Sequence, residues 1–129
     1  MTVARYVVDT TFVIDFLRDD PVATERFRRF FEEGDSVLVN EIVVCEARVG
    51  LTAAQVPGLM AMLQPLEFIQ PGPDAALSAG RWRDESRRAG RVLSLGDALI
   101  AAAAEASDAT VLTRNVRDFS LTPARVEAY

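Results

Sequence analysis

The sequence predicts an α/β fold built on a mainly parallel sheet. Short apolar runs that suit strands alternate with longer segments of helical periodicity, as expected for parallel strands joined by crossover helices. The first run, around Val7 and Val8, is continuously apolar, which is typical of a strand covered on both faces. With 129 residues, of which 50% are hydrophobic, the chain is expected to form one domain over residues 1–129.

The first half of the chain is predicted to begin with a strand and end with a short helix. The expected elements are a strand at 3–8, helices at 12–17 and 21–34, a strand at 36–39, and helices at 41–51 and 58–63. Asp9, Asp20 and Asn40 precede three of these helices as N-cap residues. Phe27, Phe30 and Phe31 form an aromatic stripe that we expect in the core or in a subunit contact.

The second half is predicted to repeat the alternation. The expected elements are a strand at 66–69, a long helix from 73 to 89, an Ala-rich helix at 97–106, a strand at 110–112, a loop at 113–119 and an edge strand at 125–129. Gly72 and Pro73 open the long helix, and Ser94 caps the Ala-rich one. We find no internal repeat and no linker.

Composition excludes several kinds of chemistry. The chain has no His and a single Cys, which excludes Ser-His and Cys-His nucleophiles, histidine metal sites and cysteine-cluster zinc sites. All 14 basic residues are Arg, so a mechanism that needs a lysine amine is excluded. A net charge of −5 argues against a broad basic surface for nucleic acid.

The N-terminal segment and the lengths of the apolar runs predict a cytoplasmic protein. No apolar run approaches the ~20 residues that cross a bilayer. The segment MTVARYVVDT lacks the basic region and apolar core of a signal peptide. We therefore expect no membrane partner.

Asp9 is the first acid in an unusual place, because it follows an apolar strand directly. Burying a charge there is costly unless something pairs with it. Capping of the next helix is one sufficient explanation. A role in a site at the end of the strand is the other.

Glu46 is the second such acid. On a helical projection it shares a face with Ile42, Val43 and Val49, so its carboxylate is predicted to sit in the apolar stripe of the helix. A buried ion pair with an Arg would explain it structurally, although such pairs add little stability.

Asp97 and the segment LTRNVRDF complete the set. Asp97 lies three residues after Ser94, in the arrangement of a capping box, but its helix is apolar on every side and should be buried. Asn115 and Asp118 follow a predicted strand, where open parallel sheets assemble their sites, and an Asx turn is the alternative for Asn115.

One common cause is simpler than three or four separate ones. Carboxylates that converge in a cleft repel one another unless a cation holds them. With oxygen ligands only, the favoured ions are Mg²⁺ and Mn²⁺, and Mg²⁺ also binds substrate phosphate oxygens. The pattern therefore predicts a metal-dependent phosphodiesterase that needs no protein nucleophile.

Four motifs carry a family resemblance. In order and spacing, VVDTTFVIDFLR, NEIVVCEARVGL, LSLGDALIAAAA and LTRNVRDF resemble a PIN-domain ribonuclease and, more narrowly, the VapC toxins of toxin-antitoxin pairs. The resemblance runs from Val7 to Phe119. It implies a three-layer α/β/α sandwich whose central sheet has four to five strands.

The resemblance also implies a site and a cofactor. It places Asp9, Glu46, Asp97 and Asp118 in an acidic Mg²⁺ site, in which Mn²⁺ can substitute. The polar neighbours of that site are Thr10, Thr113 and Asn115.

The implied activity is endoribonuclease cleavage of RNA, with tRNA or another structured RNA as a plausible target. The implied partners are a cognate antitoxin protein and a second copy of the chain in a homodimer.

The Arg residues around the acids are candidate RNA contacts. Those expected to bind phosphates are Arg87, Arg88, Arg91, Arg114 and Arg117. A solvated helix face paired through Asp84 and Glu85 is the alternative for those on the long helix.

Several functions remain to be separated. A phosphate-receiver domain would need a Lys, an aspartyl phosphatase would need an Asp at position 11, where Thr11 stands, and a dinucleotide-binding module would need a G-x-G-x-x-G turn. A PIN-like nuclease of RNA processing without an antitoxin stays open. So does a catalytically silent PIN-like binding or scaffold domain.

Overall fold

The computed structural model describes residues 3–129 and has five strands, six α-helices and two short 3-10 turns within that range. The strands are β1 (Arg5–Val8), β2 (Ser36–Asn40), β3 (Glu67–Ile69), β4 (Thr110–Thr113) and β5 (Val126–Ala128). The helices are α1 (Thr10–Leu17), α2 (Pro21–Glu32), α3 (Glu41–Val49), α4 (Val56–Leu63), α5 (Pro73–Arg88) and α6 (Leu95–Ala106). The 3-10 turns are Ala53–Gln55 and Val116–Phe119.

All five strands form one parallel sheet in the order β3-β2-β1-β4-β5. Val7 of the central strand pairs with Leu38 of β2 and with Val111 of β4. Helix α6 contacts β1 and β4, and α3 contacts β2. The predicted α/β fold with a mainly parallel sheet of four to five strands is confirmed.

The element bounds differ from the predicted ones at a few places. Strand β1 begins at Arg5, and Val3 lies outside it with 53% of its surface exposed. Helix α6 begins at Leu95, directly after Ser94. The segment predicted as a loop after β4 contains the second 3-10 turn, and the turn at Ala53–Gln55 was not predicted.

The aromatic stripe of α2 lies mainly in the core. Phe30 is fully buried and its ring packs 6.0 Å from that of Phe12. Phe27 is half-buried and stacks against Phe16 with ring centroids 4.4 Å apart. Phe31 remains 43% exposed at the end of the stripe.

Helices α5 and α6 pack against each other. Trp82, on the buried face of α5, is only 4% exposed. The hydroxyl of Ser86 donates to the Trp82 carbonyl at 2.8 Å, within the same helix. Among residues 3–129, no helix has the length and apolar character needed to cross a membrane.

The sheet brings the polar ends of its strands to one edge. Asp9 follows β1, and Asn40 and Thr113 are the last residues of β2 and β4. Since the strands are parallel, these residues end at the same side of the sheet. The Asp9 amide donates to the Leu112 carbonyl at 3.2 Å, which joins the ends of β1 and β4.

Candidate active site

Asp9 is buried and fully engaged in hydrogen bonds. Only 4% of its surface is exposed, and its Oδ1 accepts from the Phe12 amide at 2.9 Å as the N-cap of α1. The Thr11 hydroxyl lies 2.8 and 2.9 Å from its two oxygens. Burial raises the pKa of Asp9, and the hydrogen bonds from Thr113, Phe12 and Thr11 offset part of that rise.

Thr113 links Asp9 to the loop after β4. It is fully buried, and its hydroxyl donates to Asp9 Oδ2 at 2.5 Å. Thr113 Oγ1 in turn accepts from the Asn115 amide at 2.9 Å. We call Asp9, Thr11 and Thr113 the buried corner of the site, since their polar atoms are satisfied within the protein.

Asp97 lies in the first turn of α6 and is half-buried. Its amide donates to Ser94 Oγ at 3.1 Å, so the predicted N-cap is present. Desolvation raises the pKa of Asp97, the Ser94 hydrogen bond lowers it, and the negative charges of Asp118, Asp9 and Glu46 raise it further. The four acids selected from the sequence therefore share one electrostatic neighbourhood.

Glu46 lies near the other acids, but its side chain is not buried as predicted. It is exposed rather than enclosed in an apolar stripe, since the buried residues of α3 are Val43 and Ala47. Val49, expected on the same buried face, is 83% exposed. The prediction of a buried Glu46 is wrong because α3 buries a narrower face than its apolar residues suggested.

The carboxylate of Glu46 is held between α1 and α6. Thr10 Oγ1 donates to Glu46 Oε1 at 2.7 Å. A Cβ built on Gly96 would lie 2.6 Å from Glu46 Oε2, so the carboxylate packs directly on the glycine that precedes Asp97. The free amides at the start of α6 favour an anion there.

Asp118 lies in the 3-10 turn that follows β4 and is exposed. The turn is anchored by Phe119, which is 1% exposed, and by the Asp118 amide, which donates to the Asn115 carbonyl at 3.0 Å. We call Glu46, Asp97 and Asp118 the open corner, because two of them are exposed and the third is half-buried.

The donor set suits a hydrated divalent cation. Among residues 3–129, no three acidic or sulfur side chains are gathered tightly enough to enclose a metal ion. Mg²⁺ needs only one or two direct carboxylates and keeps several waters. The mutual repulsion that raises the pKa of Asp97 is what a cation between the carboxylates would relieve, so the residues present fit such an ion.

Asp15 and Tyr129 were not selected from the sequence, although they lie beside the buried corner. Asp15 is 6% exposed, its Oδ2 accepts from the Tyr129 hydroxyl at 2.6 Å, and it pairs with Arg114 Nη1 at 3.0 Å. Burial and the hydrogen bond to Asp15 raise the pKa of Tyr129. An acid inside the apolar run of α1 was the available signal.

The predicted RNA-contacting arginines lie at three places: after β4, at the end of α5 and in the segment that follows α5. Arg114 is paired with Asp15, and Arg117 is exposed in the turn next to Asp118. Arg87 and Arg88 both pair with Asp84, at 3.0 and 3.1 Å, which is the contact pattern of the alternative interpretation. Arg91 is exposed beyond the end of α5.

Comparison with known families and sequences gives consistent matches. A family model described as "PIN domain" matches residues 6–124. Ribonuclease VapC19 of Mycobacterium tuberculosis is 31% identical over 117 residues, which cover 91% of this chain and 94% of that protein. Ribonuclease VapC2 of Rickettsia felis is 24% identical over 123 residues, 92% of each chain.

Solved structures share the fold over nearly the whole chain. VapBC2 from Rickettsia felis, bound to a DNA fragment from its promoter, aligns with a TM-score of 0.83 at 21% identity and covers 96% of this chain and 98% of that one. DNA-bound VapBC from Salmonella typhimurium aligns with a TM-score of 0.82 at 23% identity, covering 97% and 98%. At these identities the likeness concerns the fold.

Proposed function

Because the chain belongs to the PIN-domain family, we propose that it is a metal-dependent endoribonuclease that acts as the toxin of a toxin-antitoxin pair. The observation that carries the proposal is the convergence of four acids, from the starts of α1 and α6, the second half of α3 and a turn after β4, around Asp97. A scaffold domain would gain nothing from this repulsion. The names of the similar proteins, ribonucleases and toxin-antitoxin complexes, support both parts of the proposal.

Asp9 and Asp97 would hold Mg²⁺, or Mn²⁺ in its place, with Glu46 and Asp118 orienting water around it. When bound, the ion supplies activation of a water molecule and neutralises charge on the scissile phosphate. Asp9 is oriented for this role by Thr11, Thr113 and the Phe12 amide. No side-chain nucleophile is required, in keeping with a chain that has no His.

The remaining residues shape the site around the substrate. Thr10 fixes Glu46 over Gly96, and the Thr113 hydroxyl fixes both Asp9 and the Asn115 amide. These contacts hold four elements in one geometry before substrate binds, which lowers the reorganisation needed during the reaction.

Cleavage of a total small-RNA pool tests the enzymatic part. The purified protein should give discrete fragments with Mg²⁺ or Mn²⁺ and none with EDTA, and Asp97→Asn should abolish the fragments. Asp108→Asn is the matched control, because Asp108 is an exposed acid paired with Arg125 away from the cluster. Fragments that persist in EDTA or in Asp97→Asn would contradict the proposal.

Growth of a bacterial host tests the toxin part. Expression in the cytoplasm, where RNA is available, should arrest growth of the host, and co-expression of the cognate antitoxin should restore it. Metal-dependent cleavage without growth arrest would favour an RNA-processing nuclease instead. The proposed homodimer is tested by the molar mass in solution of the protein alone.

A further inference from the structure

A basic groove lies on the surface of α5, outside the acidic cluster. It has a volume of about 350 Å³ and runs between the second half of α5 and the segment 91–93, which returns along the helix. Arg83, Arg87 and Arg91 line it, and Asp84 is the one acid among its lining residues. Three guanidinium groups against one carboxylate leave two positive charges in the groove of a chain whose net charge is −5.

Two of these arginines are free to bind an anion. Arg83 Nε donates to the Leu93 carbonyl at 3.1 Å. This hydrogen bond positions the side chain, and because the carbonyl is neutral it leaves the charge of the guanidinium unpaired. Within residues 3–129, neither Arg83 nor Arg91 is paired with a carboxylate. Arg87 shares Asp84 with Arg88, so a single carboxylate faces two cations there.

The groove ends close in the chain to an acid of the cluster. Its wall at Leu93 is followed by Ser94, the N-cap of α6, and Asp97 lies in the first turn of that helix. A polyanion held over the carboxylates of Asp9, Glu46 and Asp97 is repelled by them, so binding needs positive charge close by. The planar guanidinium fork binds phosphate oxygens two at a time.

We propose that the groove of Arg83, Arg87 and Arg91 binds a backbone phosphate of the RNA strand, on the α6 side of the scissile bond. This proposal rests on the proposed function, because it adds a second place at which the same RNA substrate contacts the protein. It also gives the Arg-rich end of α5 a role, with Arg83 and Arg91 as the binding residues. Arg88 serves only to share Asp84.

Binding of a labelled 20-nucleotide single-stranded RNA of random sequence provides the test. The measurement uses Asp97→Asn as the background, so that no cleavage interferes. Arg83→Gln with Arg91→Gln should raise Kd about tenfold and lower the slope of log K against log salt by about 0.7, as expected for one lost phosphate contact on a single strand. The control, Arg28→Gln with Arg125→Gln, removes the same charge from exposed ion pairs elsewhere and should change neither value.

Each outcome has a definite meaning. Equal losses in both double variants would overturn the groove, because the effect would then be one of general charge. If Arg83→Gln with Arg91→Gln weakens the binding of a polyglutamate peptide as much as the binding of the RNA, the groove would be assigned to an acidic protein segment. That result would overturn the proposal.

Failure of the proposed function gives a different pattern from failure of the groove. If Arg83→Gln with Arg91→Gln, introduced into the otherwise wild-type protein, leaves the KM for RNA cleavage unchanged, the ribonuclease proposal is upheld and the groove proposal is overturned. If RNA binds through Arg83 and Arg91 but the wild-type protein does not cleave it in the presence of metal, the groove proposal is upheld and the ribonuclease proposal is contradicted. The expected result is a raised KM with kcat unchanged.

Discussion

Asp9 and Asp97 belong to one cluster of acids, but the protein treats them in opposite ways. Asp9 is 4% exposed and accepts hydrogen bonds from two hydroxyls and an amide. Asp97 is half-buried, and Ser94 is the one residue whose hydrogen bond lowers its pKa, whereas the negative charges of three other acids raise it. Hydrogen bonds therefore fix the position of Asp9 within the protein, whereas the carboxylates of the open corner repel one another.

The difference separates two tasks. In the buried corner, hydrogen bonds fix the position of a carboxylate, and loss of a donor leaves a polar atom buried and unpaired. In the open corner, repulsion weakens the fold slightly but keeps the carboxylates available to a cation. Substitutions of the threonines that support Asp9 should therefore act mainly on stability, and substitutions in the open corner mainly on activity.

The largest effect on stability is expected for Thr113→Val. It removes a hydroxyl that donates to Asp9 and accepts from the Asn115 amide in a fully buried position, so the free energy of unfolding should fall by about 2–3 kcal/mol. Thr10→Val is the matched control, because its hydroxyl serves the exposed Glu46, and it should cost less than about 1 kcal/mol. Urea unfolding measures both, and equal losses would abolish the distinction between the corners.

Arg114→Gln should have the next largest effect. Its guanidinium pairs with Asp15, whose side chain is 9% exposed. Loss of a hydrogen bond to a buried charged group costs about 1.5–3 kcal/mol. The cost is smaller here because Arg114 is 59% exposed and the Tyr129 hydroxyl still donates to Asp15. We expect about 1 kcal/mol in urea unfolding. Arg117→Gln, in the same loop but without an ion pair in the described residues, should be neutral; a comparable loss there would contradict the role given to the Asp15 pair.

Gly96→Ala tests the open corner. The new methyl group would lie 2.6 Å from Glu46 Oε2, so the flexible Glu46 side chain must move while the backbone stays. Cleavage should fall by about 10–100-fold, whereas the free energy of unfolding should stay equal or rise by up to ~1 kcal/mol through helix propensity. Gly58→Ala on α4, where the added atom would meet only Leu17 Cδ2 at 4.0 Å, should leave cleavage unchanged. If Gly96→Ala keeps full activity, the position of Glu46 over α6 is unimportant.

The smallest expected effect is the stabilisation of the metal-free protein by Asp97→Asn, about 0.5 kcal/mol at pH 7. The pKa of Asp97 is raised in the folded protein, so its charged form is penalised there and not in the unfolded chain. This penalty is present above the folded pKa and vanishes as the pH falls below the ordinary value of 3.8. The difference in Tm between the two proteins should therefore shrink as the pH is lowered and also when Mg²⁺ is added; a difference that grows on acidification would contradict the shift.

The sequence predicted the sheet and most helix starts because those depend on local signals. Asp9, Asn40 and Ser94 cap their helices as expected, and capping acts within three residues of the chain. Asp9 was also recognisable as a candidate site residue, because a charge that follows a buried strand is costly unless something pairs with it.

Tertiary contacts account for what the sequence did not predict. Glu46 was selected for a buried helix face, but its position depends on Gly96 of another helix, which a helical projection cannot include. Asp15 was missed because its partners Arg114 and Tyr129 lie 99 and 114 residues away. The shared use of Asp84 by Arg87 and Arg88 was anticipated as an alternative, since those residues are one helical turn apart.

Trp82 has an experimental consequence. It is the single tryptophan of the chain, it is 4% exposed, and it directly precedes Arg83. Its fluorescence therefore comes from one buried indole, and unfolding should shift the emission to longer wavelength as the ring meets water.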